Sequence, residues 1–109
     1  MRVNLIKICL KMEGKEILNK KNSLVNKHLC NFIESKFLRE YHDQKGKIIS
    51  QNEYAKLCGI TSSTISKIKL PEGYNIPLST IYNILRHERY SLEKFFKEFE
   101  DEKGINIPD

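Results

Sequence analysis

Hydroxyl and amino groups are concentrated in one short segment, residues 62–69 (SSTISKIK). Ile65 and Ile68 are three residues apart, so on a helix they would share one side and pack inward. The opposite side would carry a polar face made of Ser62, Ser63, Ser66, Lys67 and Lys69. A lysine ammonium can donate to O6 and N7 of guanine, and a serine hydroxyl can pair with several bases. The polar face therefore has the chemistry to hydrogen-bond the edges of base pairs.

The charge distribution favours a polyanionic partner. Residues 1–90 carry 16 Lys/Arg and 8 Asp/Glu (+8), and residues 91–109 carry 3 Lys and 6 Asp/Glu (−3), which together give the overall +5. Between Lys45 and Lys69 there are five lysines and one glutamate, a local +4. A basic body with an acidic end is typical of proteins that bind nucleic acid, although a solvated lysine-rich surface gives the same pattern.

No other group of residues has the spacing that catalysis or metal binding requires. The candidate ligands His28, Cys30, His42, Cys58 and His87 match no zinc pattern. Ser, His and Asp are present without the sharp turn that exposes a nucleophile, and no glycine-rich phosphate loop occurs. We therefore expect no enzymatic activity, no metal and no cofactor.

Start and stop signals place the polar face on the second of two short helices. Ser50 and Glu53 form an S-x-x-E capping box, which predicts a helix over residues 51–58 that Gly59 ends. Thr61 can cap the next helix, over residues 62–69. The predicted motif core is Ala55, Gly59, Ile60, Ile65 and Ile68, with Tyr54, Leu57 and Cys58 on the buried side of the first helix.

Three further helices complete the predicted all-α domain. One is expected over residues 24–44, capped by Ser23; one begins near Pro77; and one is capped by Ser91. The apolar face of the first is Val25, Leu29, Phe32, Ile33 and Phe37, broadened by Leu38 and Tyr41. The apolar faces of the other two are Leu78, Ile81, Ile84 and Leu85, and Leu92, Phe95, Phe96 and Phe99. The phenylalanines either close the core alone or place one ring in a subunit interface.

The first 23 residues allow several interpretations. Residues 6–12 alternate apolar and polar side chains, which predicts a short strand, whereas Val3, Ile6 and Leu10 also fit a helix. Met12 is an alternative start of translation. Residues 14–23 are polar and lysine-rich, as in a linker. The chain then divides into an N-terminal extension that is a short strand or a disordered arm (1–22), a helical domain (23–103) and a frayed tail (104–109).

The cysteine pattern and the hydropathy indicate the cytoplasm. Cys9, Cys30 and Cys58 are irregularly spaced, which argues against a disulfide framework. No apolar run reaches the ~20 residues of a membrane helix. Residues 3–10 lack the cleavage site of a signal peptide. We expect no membrane partner.

Residues 51–68 (QNEYAKLCGITSSTISKI) resemble the helix-turn-helix motif of Cro/CI-type regulators, the XRE family. The resemblance continues through residues 73–81 and 90–99 and covers roughly residues 24–100. It implies a lambda-repressor-like bundle of five helices that binds double-stranded DNA as a homodimer and regulates transcription. The chain departs from the family pattern in a longer segment before Ser50 and in added residues at 70–72.

The resemblance also implies roles for individual residues. Family members read bases from the positions held here by Ser62, Ser63 and Lys67, and the position of Gln51 contacts the DNA backbone. Thr64 could touch a thymine methyl group. Further backbone candidates are Lys45, Lys47, Ser66, Lys69, Tyr74 and Asn75. The helix over residues 62–69 would then enter the major groove.

Repression of transcription is the favoured function, because little of the chain lies outside the motif and its bundle. One alternative is an antitoxin that represses its own operon and binds a toxin through its N-terminal extension or acidic tail. Another is a protein-interaction module that has kept the fold without binding DNA.

Overall fold

Five α-helices make up most of the molecule. The computed structural model describes the backbone of residues 3–107 and the side chains of residues 14–107. The elements are α1 (Val3–Phe37), α2 (Gln51–Cys58), α3 (Ser62–Ile68), α4 (Leu78–Glu88), α5 (Leu92–Lys103) and a 3-10 turn (Gly104–Asn106). Within these described residues there is no strand, and one isolated bridge joins His42 to Ile48. The predicted all-α architecture of five helices is confirmed.

Helix α1 is much longer than the sequence predicted. Residues 6–12 are helical, so the predictions of a short strand and of a disordered arm are wrong. Residues 14–23 are helical as well, so the predictions of a linker and of a helix cap at Ser23 are also wrong. This segment has no proline, and its one glycine, Gly14, costs a helix only about 1 kcal/mol. Residues 1–2 of the predicted extension and 108–109 of the predicted tail lie outside the described residues.

Helix α1 also ends earlier than predicted, at Phe37. Residues 38–50 form a loop in which Asp43 Oδ1 accepts two backbone N–H groups, both at 2.9 Å. Leu38 is nevertheless fully buried, and Tyr41 packs against the core. The apolar pattern that suggested a longer helix is therefore a real part of the core, contributed by a loop.

The core lies between α1 and the shorter helices. Its largest fully buried side chains are Tyr54, Phe32, Phe95, Ile33, Leu38, Ile65, Ile68, Ile81, Ile84 and Leu85. The rings of Phe32 and Phe95, 5.3 Å apart, join α1 to α5. Beside them Lys36 Nζ lies 2.8 Å from Glu98 Oε1. Phe99 is buried and Phe96 half-buried, so α5 closes the core on this side.

Two leucines that were predicted to be buried are exposed. Leu57 in α2 is 52% exposed, because α2 buries Tyr54, Ala55 and Cys58 and turns residue 57 outward. Leu78 is 56% exposed, because it lies at the start of α4, where Pro77 is the N-cap residue.

Helix α1 gives the molecule an elongated shape, with extents of 61 × 27 × 20 Å. The radius of gyration is 17.4 Å, whereas a compact chain of this length has about 13 Å. Among the side chains of α1 that the structure describes, from residue 14 onward, the first buried one is Leu29, and residues 15–20 are all exposed. We call residues 3–24 of α1 the arm, because it projects beyond the packed part of the domain.

Candidate nucleic-acid interface

Local capping fixes the two short helices that present the polar face. Ser50 Oγ accepts the backbone N–H of Glu53 at 3.2 Å, which starts α2 as expected. Gly59, with φ of 79°, ends α2 in the left-handed region that a side chain would strain. Thr61 Oγ1 then accepts the backbone N–H of Thr64 at 3.1 Å and starts α3.

The side of α3 opposite the polar face is anchored in the core. Ile65 and Ile68 are both fully buried, and Ala55 of α2 is 2% exposed. Ile60, in the turn between the helices, packs against the core and donates its backbone N–H to Ala55 O at 2.9 Å. The polar face is therefore held in one orientation by an apolar contact on its reverse side.

Gln51, the first residue of α2, ties α2 to α3 through its side-chain amide. Its Nε2 lies 3.0 Å from Ser62 O, 2.9 Å from Ser62 Oγ and 3.2 Å from Ser66 Oγ. Its Oε1 accepts the hydroxyl of Tyr41 at 3.1 Å. The amide thus bridges the 38–50 loop and the first turn of α3, and Gln51 itself is half-buried.

Tyr41 is the residue of this network that the sequence analysis missed. Its hydroxyl donates to Gln51 and accepts from Lys69 Nζ at 2.9 Å. The same ammonium lies 5.3 Å from the centroid of the Tyr41 ring, within cation–π range. The apolar pattern places Tyr41 in the core, but no local signal in the sequence shows where its hydroxyl points.

The polar face is largely open to solvent. Ser63, Ser66, Lys67 and Lys69 are exposed, whereas Ser62 and Thr64 are half-buried. The hydroxyls of Ser63 and Thr64 lie 3.0 and 2.9 Å from Thr61 Oγ1. Because a hydroxyl has one donor and two acceptor sites, these groups keep capacity for an external partner.

Lys67 projects beside the loop that follows α3. Its Nζ lies 5.9 Å from the centroid of the half-buried Tyr74 ring. Burial raises the pKa of the Tyr74 phenol, which therefore stays neutral at physiological pH. The ring is thus a neutral surface beside the Lys67 ammonium, and it leaves the ammonium protons available for acceptors.

The remaining backbone candidates lie in two loops. Asn75 is exposed and lines an open polar groove with Asn19, Asn22 and Asn26 of α1. Lys45 and Lys47 are exposed on the turn that Asp43 organises. Their backbone N–H groups lower the pKa of the Asp43 carboxyl, so the turn keeps its acceptor at neutral pH. The structure thus joins Gln51, Ser66 and Lys69 in one network and leaves Lys45 and Lys47 on a separate turn.

The buried polar groups near these elements are occupied by structural contacts. His87 of α4 lies 2.8 Å from His42 O through Nε2 and 3.0 Å from Gln44 Nε2 through Nδ1. Burial raises the pKa of Cys58 to about 11 and that of Cys30 above its usual value, so neither thiol is a nucleophile at neutral pH. In the part of the chain that the structure describes, no three His, Cys, Asp or Glu side chains come together as a metal site.

Among the helices within residues 3–107, none is both long enough and apolar enough to span a bilayer. No family model, no curated protein and no solved structure matches the chain.

Proposed function

We propose that the protein is a sequence-specific DNA-binding regulator of transcription, a repressor that inserts α3 into the major groove. The observation that carries the proposal is the exposure of Ser63, Ser66 and Lys67 on a helix whose reverse side is locked in the core. The major groove of B-DNA admits an α-helix and presents a distinct hydrogen-bonding pattern for each base pair. The resemblance of residues 51–68 to Cro/CI-type regulators implies the same docking.

Lys67, with Ser62 and Ser63, would read bases. The Lys67 ammonium would donate to guanine O6 and N7, and the serine hydroxyls would pair with several bases. Serine discriminates weakly, and the methyl group of Thr64 adds only a thymine contact. We therefore expect part of the specificity to come from the shape of the DNA.

The phosphate backbone beside α3 would be held by Gln51, Ser66 and Lys69. Further phosphate contacts, beyond the C-terminal end of α3, would come from Tyr74 and Asn75. Lys45 and Lys47 would add a further contact from their own turn. Two copies on a near-palindromic operator would place their α3 helices ~34 Å apart in successive major grooves. Occupying such an operator blocks transcription sterically.

Selection of bound sequences from a random duplex library tests this function directly. A near-palindromic consensus is expected, and recovery of no enriched sequence would refute it. On the selected site, Lys67→Ala should cost ~1–3 kcal/mol and relax the preference at one position. Lys97→Ala in α5, which removes the same charge from an exposed helix elsewhere, is the matched control and should bind like the wild type. Equal losses on specific and random DNA would instead assign Lys67 to a phosphate.

The second candidate function is that of an autorepressing antitoxin, which would bind its toxin through the arm. The arm exposes apolar residues, including Ile17 and Leu18, that a toxin could cover. Co-purification of a small basic protein in a fixed ratio, from the source in which the chain is expressed, would favour this candidate.

A further inference from the structure

An apolar stripe on the arm has no role in the proposed DNA contacts. Ile17, Leu18 and Leu24 are 50%, 58% and 39% exposed. Together with the half-buried Val25 they follow the spacing i, i+1, i+7, i+8, which places all four on one side of α1. In the sequence an apolar residue recurs every seventh position, at Val3, Leu10, Ile17 and Leu24.

Helices that pack along one another repeat apolar residues at two positions of each heptad, and the arm repeats one of these positions over four heptads. The arm has no buried side chain among its described residues. In proteins most of the stability of a helix comes from the packing of its apolar side. Both observations indicate that a second helix covers the stripe.

The charges around Ile17 favour a second copy of the arm as that helix. In the sequence the turn before Ile17, residues 13–16, holds two glutamates and Lys15 and has a net charge of −1, whereas the turn after it, residues 18–21, holds two lysines and has a net charge of +2. A parallel pair would bring like charges together, Lys20 beside Lys20 and Glu13 beside Glu13. An antiparallel pair centred on Ile17 would bring the acidic turn of each copy beside the basic turn of the other.

We propose that two copies of the chain form a homodimer through their arms, which pack antiparallel with Ile17 at the centre. This interface deepens the proposed function, because a two-fold dimer is what a near-palindromic operator requires. The two domains then lie at opposite ends of the paired arms. The arm dimer is independent of α5, whose phenylalanines pack in the domain's own core.

Analytical ultracentrifugation of the full chain over a range of concentrations tests the interface. The wild type is expected to dimerise. Ile17→Lys should weaken self-association at least about tenfold, because it buries a charge at the centre of an apolar contact. Leu78→Lys, which charges an equally exposed leucine on α4, is the control and should leave the dimer intact. A monomeric wild type, or a dimer that Ile17→Lys does not weaken, overturns the proposal, as does a complex in which a different protein covers the arm.

Disulfide cross-linking tests the orientation without disrupting the stripe. In a Cys9→Ser background, Ile17→Cys should cross-link two chains on mild oxidation. Leu24→Cys should not, because seven residues of helix on each side of the centre separate the two positions by about 21 Å, whereas a disulfide needs Cα atoms within ~7 Å. Efficient cross-linking at residue 24 would overturn the antiparallel arrangement.

The outcomes for the dimer and for DNA binding are separable. A monomer that binds a selected operator refutes the arm interface alone. An arm dimer that enriches no DNA sequence refutes the proposed function alone.

Discussion

At the scale of single residues, the Tyr41 hydroxyl determines how Gln51 is used. Because Tyr41 donates to Gln51 Oε1, the amide must turn its Nε2 donors toward Ser62 and Ser66. The Tyr41 hydroxyl oxygen also accepts a hydrogen bond from the Lys69 ammonium. A residue in the loop before α2 thus orients groups at both ends of α3, and the polar face depends on it although it lies outside the motif.

Tyr41→Phe should separate this orienting role from the packing of the ring. The phenyl ring keeps its contact with Tyr54, 5.1 Å away, so only the two hydrogen bonds of the hydroxyl are lost, at a cost to stability of ~0.5–1.5 kcal/mol each. Sequence preference is the affinity for a selected operator relative to that for random DNA, measured by competition binding. We expect Tyr41→Phe to lower this preference by a larger proportion than it lowers the stability. Tyr82→Phe removes an exposed hydroxyl from α4 and is the control. A Tyr41→Phe protein with full sequence preference would show that the hydroxyl has no orienting role.

At the scale of elements, the loop after α3 is held against α1 at Gly73. A Cβ atom at this position would lie 2.9 Å from Cys30 Cβ and 3.1 Å from Asn26 O, and Gly73 has φ of 67°. Cys30 Sγ also lies 3.5 Å from Tyr74 O in the same contact. The close approach places Tyr74 and Asn75 relative to α3.

Gly73→Ala should therefore destabilise the protein more than Gly46→Ala. Both glycines have positive φ, so both substitutions strain the backbone, but a Cβ at Gly46 meets nothing within 4 Å. The additional steric cost at Gly73 is ~1–3 kcal/mol, measurable by denaturant unfolding. Equal midpoints for the two variants would show that the loop yields without cost.

Elements fixed by contacts between neighbouring residues could be predicted from the sequence, and elements fixed by contacts between distant residues could not. The caps at Ser50, Thr61 and Ser91 act within a few residues, so α2, α3 and the start of α5 were predictable from local patterns. The end of α1 was not, because Leu38 is buried from a loop whose path depends on contacts with α4, such as Gln44 with His87. The Gln51 network likewise joins residues that are 10 to 28 positions apart.

At the scale of the whole molecule, the positive charge lies in the body of the chain and the negative charge in its last 19 residues. Residues 1–90 carry a net +8, whereas residues 91–109 carry −3. Part of the acidic end is neutralised internally, since Glu98 pairs with Lys36 of α1 and also hydrogen-bonds Tyr90. The Lys36 ammonium and the Tyr90 hydroxyl lower the pKa of Glu98, which keeps this contact between α1 and α5 charged at neutral pH.

This distribution predicts a steep salt dependence of DNA binding that maps to particular lysines. Each phosphate that a lysine neutralises releases counterions, so the logarithm of the binding constant should fall linearly with that of the salt concentration. If Lys69 contacts a phosphate, Lys69→Ala should reduce the slope by ~1 on specific and random DNA alike, and Lys45→Ala should do the same if its turn reaches the backbone. Lys97→Ala should leave the slope unchanged, because that exposed lysine lies on α5 and not on the polar face. If Lys97→Ala lowers the slope as much as Lys69→Ala does, binding depends on the net charge of the protein alone. The polar face would then have no defined position on the duplex.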